Sequence, residues 1–115
     1  MHEAMLAENL LAAISQEAEK HNARPVYARI SCGKLSGVND EALSFAFEAI
    51  AKGTPCEGIE LGIEHKPLQA KCVDCNRTFN VELDEPKCPR CNSDNFRLLP
   101  DAGLLLEEIE FQIDR

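Results

Sequence analysis

Hydrophobic residues recur at every third or fourth position near the start of the chain and then at every second position. In residues 3 to 22 this spacing gives one helix an apolar stripe of Leu6, Leu10, Ala13, Ile14 and Ala18. In residues 26 to 32 the apolar face of a strand comprises Val26, Ala28, Ile30 and Cys32, and Tyr27, Arg29 and Ser31 alternate with them. The pattern predicts an amphipathic helix followed by a half-buried strand, with Cys32 as a small buried hydrophobe rather than a reactive thiol.

The same two periods recur in the next part of the chain. Asn39 or Asp40 is suited to cap a second helix that runs to Lys52, and the turn at residues 54 to 58 contains Cys56, which we interpret as a loop thiol without a partner. Alternation then returns from Ile59 to near residue 67 and again over residues 104 to 113. These elements predict an α+β fold: a small three-stranded sheet with two helices on one face, and with Arg29 offsetting glutamates on the other.

Four cysteines in two close pairs form the clearest chemical motif. Cys72-x2-Cys75 is followed, after twelve residues, by Cys88-x2-Cys91. Each pair directs two sulfur atoms at one ion from a tight turn, and two pairs complete a tetrahedron. Four thiolates leave no position for water or substrate, so the motif predicts a closed structural site, with Zn(II) as the preferred ion and a rubredoxin-like iron centre as the alternative.

Two other interpretations of the cysteines are weaker. A thioredoxin-like redox motif accounts for only one pair, and two disulfides are disfavoured in a reducing compartment. A module of this size needs its ion to fold. We therefore predict an inserted zinc-ribbon-like domain at residues 70 to 98, within an α+β domain formed by residues 1 to 69 and 99 to 115, with residues 78 to 81 pairing with the region of Phe96 as a hairpin.

Composition limits the function classes. The formal net charge is −8 at pH 7, and 44 % of the 115 residues are hydrophobic, which is typical of a folded domain. A strongly acidic chain repels phosphate backbones and anionic membranes, so we expect neither nucleic acid nor membrane as a partner. The main rival interpretation, a zinc-ribbon nucleic-acid-binding or adaptor module, rests on Phe79, Phe96 and six basic residues between positions 66 and 97, which five acids offset.

Targeting and catalytic motifs are not recognisable in the sequence. The first nine residues include charges where a signal peptide is apolar, and no stretch approaches the roughly 18 apolar residues of a membrane span, so we expect a cytoplasmic protein. The three histidines (His2, His21 and His65) lie far apart and in no hydrolytic or nucleophile motif. We expect no enzymatic activity and interpret His21 and His65 as residues near the ends of a helix and a strand.

The N-terminus contains a second set of metal ligands. The Met1 amine, the His2 amide nitrogen and the His2 imidazole belong to one fused chelate, and Glu3 can supply a fourth ligand. Three nitrogens in a plane suit Ni(II) or Cu(II) better than tetrahedral Zn(II). The alternative is an idle terminal histidine.

Taken together, these motifs resemble the HypA/HybF family of nickel-insertion proteins over essentially the whole chain. The resemblance is carried by the Met1-His2-Glu3 start, the glycine-marked passage from Gly33 to Asn39, Phe45-x-Phe47, Glu57-Gly58, the approach to the last strand at Gly103, and the two cysteine pairs. It implies a nickel metallochaperone in which His2 binds Ni(II) as transferred cargo and the four cysteines hold structural zinc. It also implies a nickel-handling GTPase partner, HypB, delivery to the large subunit of a [NiFe] hydrogenase, urease as a second client in some lineages, and a monomer or homodimer.

Overall fold

The computed structural model describes residues 3 to 112, which form two helices and six strands. The helices are α1 (Glu3–His21) and α2 (Asp40–Ala51). The strands are β1 (Pro25–Gly33), β2 (Glu60–Lys66), β3 (Gln69–Cys72), β4 (Thr78–Asn80), β5 (Phe96–Leu98) and β6 (Leu105–Phe111). Both helices and all three strands predicted for the α+β domain are present, so this expectation is confirmed.

The first sheet has β1 at its centre, in the order β2-β1-β6. β1 and β2 are parallel, because the chain between them crosses over through α2, whereas β6 returns antiparallel to β1. Ala28 on β1 lies opposite Leu61 on β2 and Ile109 on β6. The central strand thus pairs with one strand that precedes the cysteine motif in the sequence and one that follows it.

The helices cover one face of this sheet. Asn39 begins α2 as predicted, since its side-chain oxygen accepts a hydrogen bond from the Ala42 backbone N–H at 2.9 Å. The largest buried side chains between the two layers are Ile14, Ile30, Leu43 and Phe47. Burial of such a side chain contributes about 1.5–3 kcal/mol, which makes this layer the main source of stability for the first sheet.

The burial of three residues tests the predictions for the first domain. Cys32 is buried, as predicted. Val26 is 42 % exposed while Pro25 is buried, because the register between β1 and β6 shifts at this point and reverses the alternation. Cys56 was expected to be a loop thiol, but it is fully buried in the core, with its sulfur 3.5 Å from the Ser15 hydroxyl. That expectation is wrong because the turn folds back against α1.

The second sheet has the order β4-β3-β5, with both neighbours antiparallel to β3. The predicted hairpin between residues 78 to 81 and the region of Phe96 is therefore wrong, since each of these segments pairs with β3 instead. The apolar positions of β3 are Ala70 and Cys72, a small residue and a candidate metal ligand. Neither gives a strong strand signal in the sequence.

The outer face of the first sheet carries ion pairs. Arg29 lies 3.7 Å from Glu64 and 4.0 Å from Glu108, which confirms its predicted role among the glutamates. The Glu107 carboxylate accepts a hydrogen bond from the Ser31 hydroxyl at 2.6 Å and pairs with Lys66 at 3.1 Å. The Ser31 hydrogen bond and the Lys66 charge lower the pKa of Glu107 below its usual range.

The segment that returns from the second sheet rests on the loop after β1. The Gly33 N–H donates to the Ala102 carbonyl at 2.9 Å, and the Leu35 N–H donates to the Asp101 carboxylate at 3.0 Å. The described chain is elongated, with extents of 55 × 30 × 17 Å. Between residues 3 and 112, neither helix combines the length and the apolar character that crossing a membrane requires.

Candidate metal sites

The two cysteine pairs fold into matching turns. The Asn76 N–H donates to the Cys72 carbonyl at 2.9 Å, and the Asn92 N–H donates to the Cys88 carbonyl at 2.8 Å. Both asparagines adopt the left-handed conformation, with φ of 64° and 63°. Asparagine tolerates this conformation better than most residues. The repeated Cys-x2-Cys-Asn sequence thus builds the same turn twice.

A second hydrogen bond closes each turn. The Cys72 N–H donates to the Arg77 carbonyl at 2.9 Å, and the Cys88 N–H donates to the Ser93 carbonyl at 2.9 Å. The Cys75 N–H also points at the Cys72 sulfur, at 3.4 Å. Backbone N–H groups that face sulfur stabilise a thiolate, so the turns favour the ionised form that a metal requires.

The four sulfur atoms converge on one point. The Sγ atoms of Cys72 and Cys91 are 3.5 Å apart, those of Cys75 and Cys88 are 3.6 Å apart, and all four lie within 4.8 Å of one another. Zn–S bonds of about 2.3 Å place the sulfur atoms of a tetrahedral site about 3.8 Å apart. The arrangement therefore fits one tetrahedral ion without rearrangement of the backbone.

Electrostatics also favour a cation at this point. The backbone N–H groups of Cys91 and Arg90 lower the pKa of the Cys88 thiol to about 6, against the burial that opposes them. The Ser93 N–H acts to lower the pKa of Cys91, but the neighbouring Cys72 sulfur and burial outweigh it and raise that pKa to about 12. One thiol ionises readily while another resists, since adjacent thiolates repel one another. A dication removes this conflict.

The surrounding module supports the cluster from one side. Cys72 and Cys88 are fully buried, whereas Cys91 is exposed. The rings of Phe79 and Phe96 meet edge to face, with centroids 5.6 Å apart, and pack with Ala70 in a small core of their own. Four sulfur ligands leave no open coordination position, so the site suits a structural ion and not a hydrolytic one.

The second predicted site begins outside the described residues. Met1 and His2, the predicted nickel ligands, and Ile113, predicted at the end of the last strand, all lie outside residues 3 to 112. Glu3 is the first described residue, and its carboxylate accepts a hydrogen bond from the Asn39 N–H at 3.3 Å. The first described residue of α1 therefore lies beside the start of α2.

His65, which was not predicted as a site residue, lies beside the first residue of α2. The His65 Nε2 atom is 2.6 Å from an Asp40 carboxylate oxygen, and its Nδ1 atom is 3.4 Å from the Cys32 sulfur. Cys32 and His65 are opposite each other in the β1 and β2 register. The Nε2–H tautomer satisfies both contacts, with the Cys32 thiol donating to Nδ1. This chain of contacts joins the first turn of α2 to the sheet.

His21 is part of neither cluster. It lies in the last turn of α1, where its ring is 3.7 Å from the Glu17 carboxylate and contacts Phe111 with centroids 5.0 Å apart. Its side chain is 58 % exposed. The interpretation of His21 as a surface residue near a helix end is confirmed.

The fold and the cysteine cluster define a class of protein: a two-helix α+β unit that carries a four-cysteine metal-binding module. A family model described as "Hydrogenase/urease nickel incorporation, metallochaperone, hypA" matches residues 1 to 111. The chain belongs to this HypA/HybF family of hydrogenase maturation nickel metallochaperones, as its sequence motifs indicated.

Two relatives illustrate the match. The hydrogenase maturation factor HybF of Escherichia coli O157:H7 is 34 % identical over 113 residues, which cover 97 % of this chain and all of HybF. The hydrogenase maturation factor HypA of Syntrophus aciditrophicus (strain SB) is 37 % identical over 115 residues, which cover 99 % of this chain and all of that protein. These relatives therefore match along their full length.

Solved structures share the fold. The solution structure of the Ni metallochaperone HypA from Helicobacter pylori has a TM-score of 0.65 at 24 % identity, covering 99 % of this chain and 100 % of that chain. A second solution structure, of HypA protein, has a TM-score of 0.70 at 24 % identity, with 97 % of each chain covered. The α+β architecture with an additional four-cysteine module is confirmed.

Proposed function

We propose that this protein binds Ni(II) at its N-terminus and transfers it into the metal centre of a [NiFe] hydrogenase during maturation. The family match over residues 1 to 111 carries this proposal, because it includes His2 and all four cysteines. The ligands are the Met1 amine, the His2 amide and the His2 imidazole, which together suit the planar coordination that Ni(II) accepts. The Glu3 amide or carboxylate can supply the fourth ligand, and one oxygen of this carboxylate accepts a hydrogen bond from the Asn39 N–H at 3.3 Å.

The four-cysteine cluster serves a different purpose in this proposal. Cys72, Cys75, Cys88 and Cys91 hold Zn(II), which stabilises an inserted domain of residues 70 to 98, while residues 1 to 69 and 99 to 115 form the nickel-binding domain. Two observations support the division: each part has its own sheet and its own cluster of buried side chains. The zinc stays bound while nickel is exchanged, because a closed four-thiolate site has no free position for an incoming ligand.

The mechanism is binding and transfer rather than catalysis. The nickel-handling GTPase HypB and the hydrogenase large subunit are the proposed partners, urease is the proposed second client, and the cytoplasm is the proposed location. A chelate of this kind supports exchange, because its ligands leave the metal one at a time. The nucleotide chemistry comes from the partner.

The test is a calorimetric titration of Ni(II) into tag-free, zinc-loaded protein. We compare the wild type with His2→Ala, with a form that has two residues added before Met1, and with His21→Ala as a matched surface-histidine control. We expect one equivalent of Ni(II) to bind to the wild type and to the control, and the other two forms to lose it while retaining zinc. Equal binding by all four forms contradicts the proposed site.

A further inference from the structure

A surface groove lies between α2 and β2, apart from the cysteine cluster. Its volume is about 460 Å³, and residues from α2, from β2 and from the turn before β2 form its walls. Ile59 and Leu61 supply apolar surface over the buried Phe47, and Ser44 and Glu48 supply polar surface. We call this feature the α2–β2 groove; it belongs to neither the cysteine cluster nor the N-terminal chelate.

One side of this groove is the free edge of a sheet. β2 pairs with β1 on one side, and within residues 3 to 112 it has no strand on its other side. An edge strand presents unpaired N–H and C=O groups, to which an extended peptide can add as a further strand. Natural proteins commonly cover or bend such edges. Here the edge has seven regular residues beside an apolar groove.

The charges around the groove select the kind of peptide. Glu48 on α2 lines the groove, whereas Glu60 alternates with Leu61 along β2 and therefore lies on the opposite face of the sheet. Both side chains are exposed, and neither has an ion-pair partner among the residues that the structure describes. Lys52 supplies one basic group at the end of the helix. A second copy of this chain brings its own net charge of −8 to the edge, which opposes self-association. A basic segment is complementary.

We propose that the α2–β2 groove binds an extended segment of a partner protein in which apolar residues alternate with Lys or Arg. The segment adds to the first sheet beside β2 through main-chain hydrogen bonds. Alternate side chains then point to opposite faces of the sheet, which places apolar groups against Ile59 and Leu61 on the helix side and basic groups beside Glu60 on the other side. This inference does not depend on where nickel binds.

The first experiment selects peptides without assuming a sequence. A phage-displayed library of random octapeptides is selected on the zinc-loaded full chain at physiological salt, and the consensus peptide is synthesised for fluorescence anisotropy. We expect an alternating apolar and basic consensus, and we expect Glu60→Lys to weaken its binding about tenfold. Glu41→Lys is the matched control, since Glu41 is exposed on α2 but does not line the groove, and this variant should bind like the wild type.

Several outcomes overturn the proposal. A selection that yields no consensus, or one without basic residues, removes the proposed occupant. Equal loss with Glu60→Lys and Glu41→Lys shows attraction to net charge instead of binding beside β2. Circular dichroism of both variants establishes that they are folded. If the wild type sediments as a dimer that the peptide dissociates, a second copy occupies the groove.

A second experiment tests the strand geometry. Two versions of the consensus peptide carry N-methyl groups on alternate backbone nitrogens, in the two possible registers. If the peptide adds beside β2, methylation in one register abolishes binding, because those N–H groups face β2, and methylation in the other is tolerated. Tolerance of both registers shows that the peptide does not extend the sheet.

Discussion

Phe45 and Phe47 are separated by one residue on α2, yet truncation of each should have very different consequences. Phe47 is 2 % exposed and packs in the cluster that includes Ile14 and Leu43, whereas Phe45 is 75 % exposed. Removal of a buried phenyl group loses its transfer free energy and leaves a cavity, so Phe47→Ala should lower the free energy of unfolding by about 3–5 kcal/mol. Phe45→Ala should change it by no more than about 0.5 kcal/mol.

Comparison of the two variants controls for helix propensity, because in both of them a phenylalanine of the same helix is replaced by alanine. Urea unfolding in the presence of zinc, followed by circular dichroism, measures the helices, both of which pack on the first sheet. The chain has one tyrosine and no tryptophan, so fluorescence of Tyr27 on β1 reports on that sheet alone. For a slope of about 2 kcal/mol per molar urea, Phe47→Ala should shift the midpoint by roughly 2 M.

The reasoning is refuted if the two variants unfold at the same urea concentration, or if Phe47→Ala costs less than about 1 kcal/mol. A further readout separates the two parts of the chain. The thiolate absorption of the Co(II)-substituted cysteine cluster should be the same in wild type and both variants, since Phe47 lies in the core of the first sheet and not in that of the second. Loss of that absorption in Phe47→Ala would contradict separate cores.

The remaining predictions concern the second sheet and the outer face of the first. Cys88→Ser should abolish tetrahedral Co(II) absorption while the helical circular dichroism persists, and a retained spectrum contradicts the four-thiolate site. Gly62→Ala should cost about 1–2 kcal/mol, because its new Cβ would lie 2.2 Å from the Tyr27 hydroxyl, and Tyr27→Phe in the same chain should recover part of that cost in urea unfolding. The lowered pKa of Glu107 contributes stability above the unfolded-state pKa of about 4.3, and this stability is lost as the pH falls through the folded-state value. Glu107→Gln should therefore flatten the dependence of the urea midpoint on pH at and below the unfolded-state pKa.

The elements of the first sheet were predictable because each carries its own pattern. The helix expected at residues 3 to 22 ends at His21, and the strand expected from residue 104 begins at Leu105. Both segments repeat an apolar spacing often enough to fix the period. The cysteine cluster was predictable for a similar reason. Each close pair determines its own turn, and the fold only has to bring the two turns together.

The errors arose where structure depends on partners distant in sequence. β3 is the centre of its sheet, but its four residues, which include Ala70, give little signal without knowledge of β4 and β5. The contact between Cys32 and His65 requires both parallel pairing and its register, which periodicity alone does not supply. Cys56 is buried because its turn folds onto α1, a contact between residues 41 positions apart.

The order of strand pairing has a consequence for folding during synthesis. The pairings are nested: β3 completes its sheet with β5, and both are enclosed between β1 and its later partner β6. As the chain grows, the cysteine module can therefore take up its ion and close while the central strand of the first sheet still lacks one neighbour. A nascent chain that stops near Leu99 should already hold metal tightly but expose the β1 edge that β6 later covers. Ribosome-bound chains of that length are where we expect chaperone binding and aggregation to be greatest.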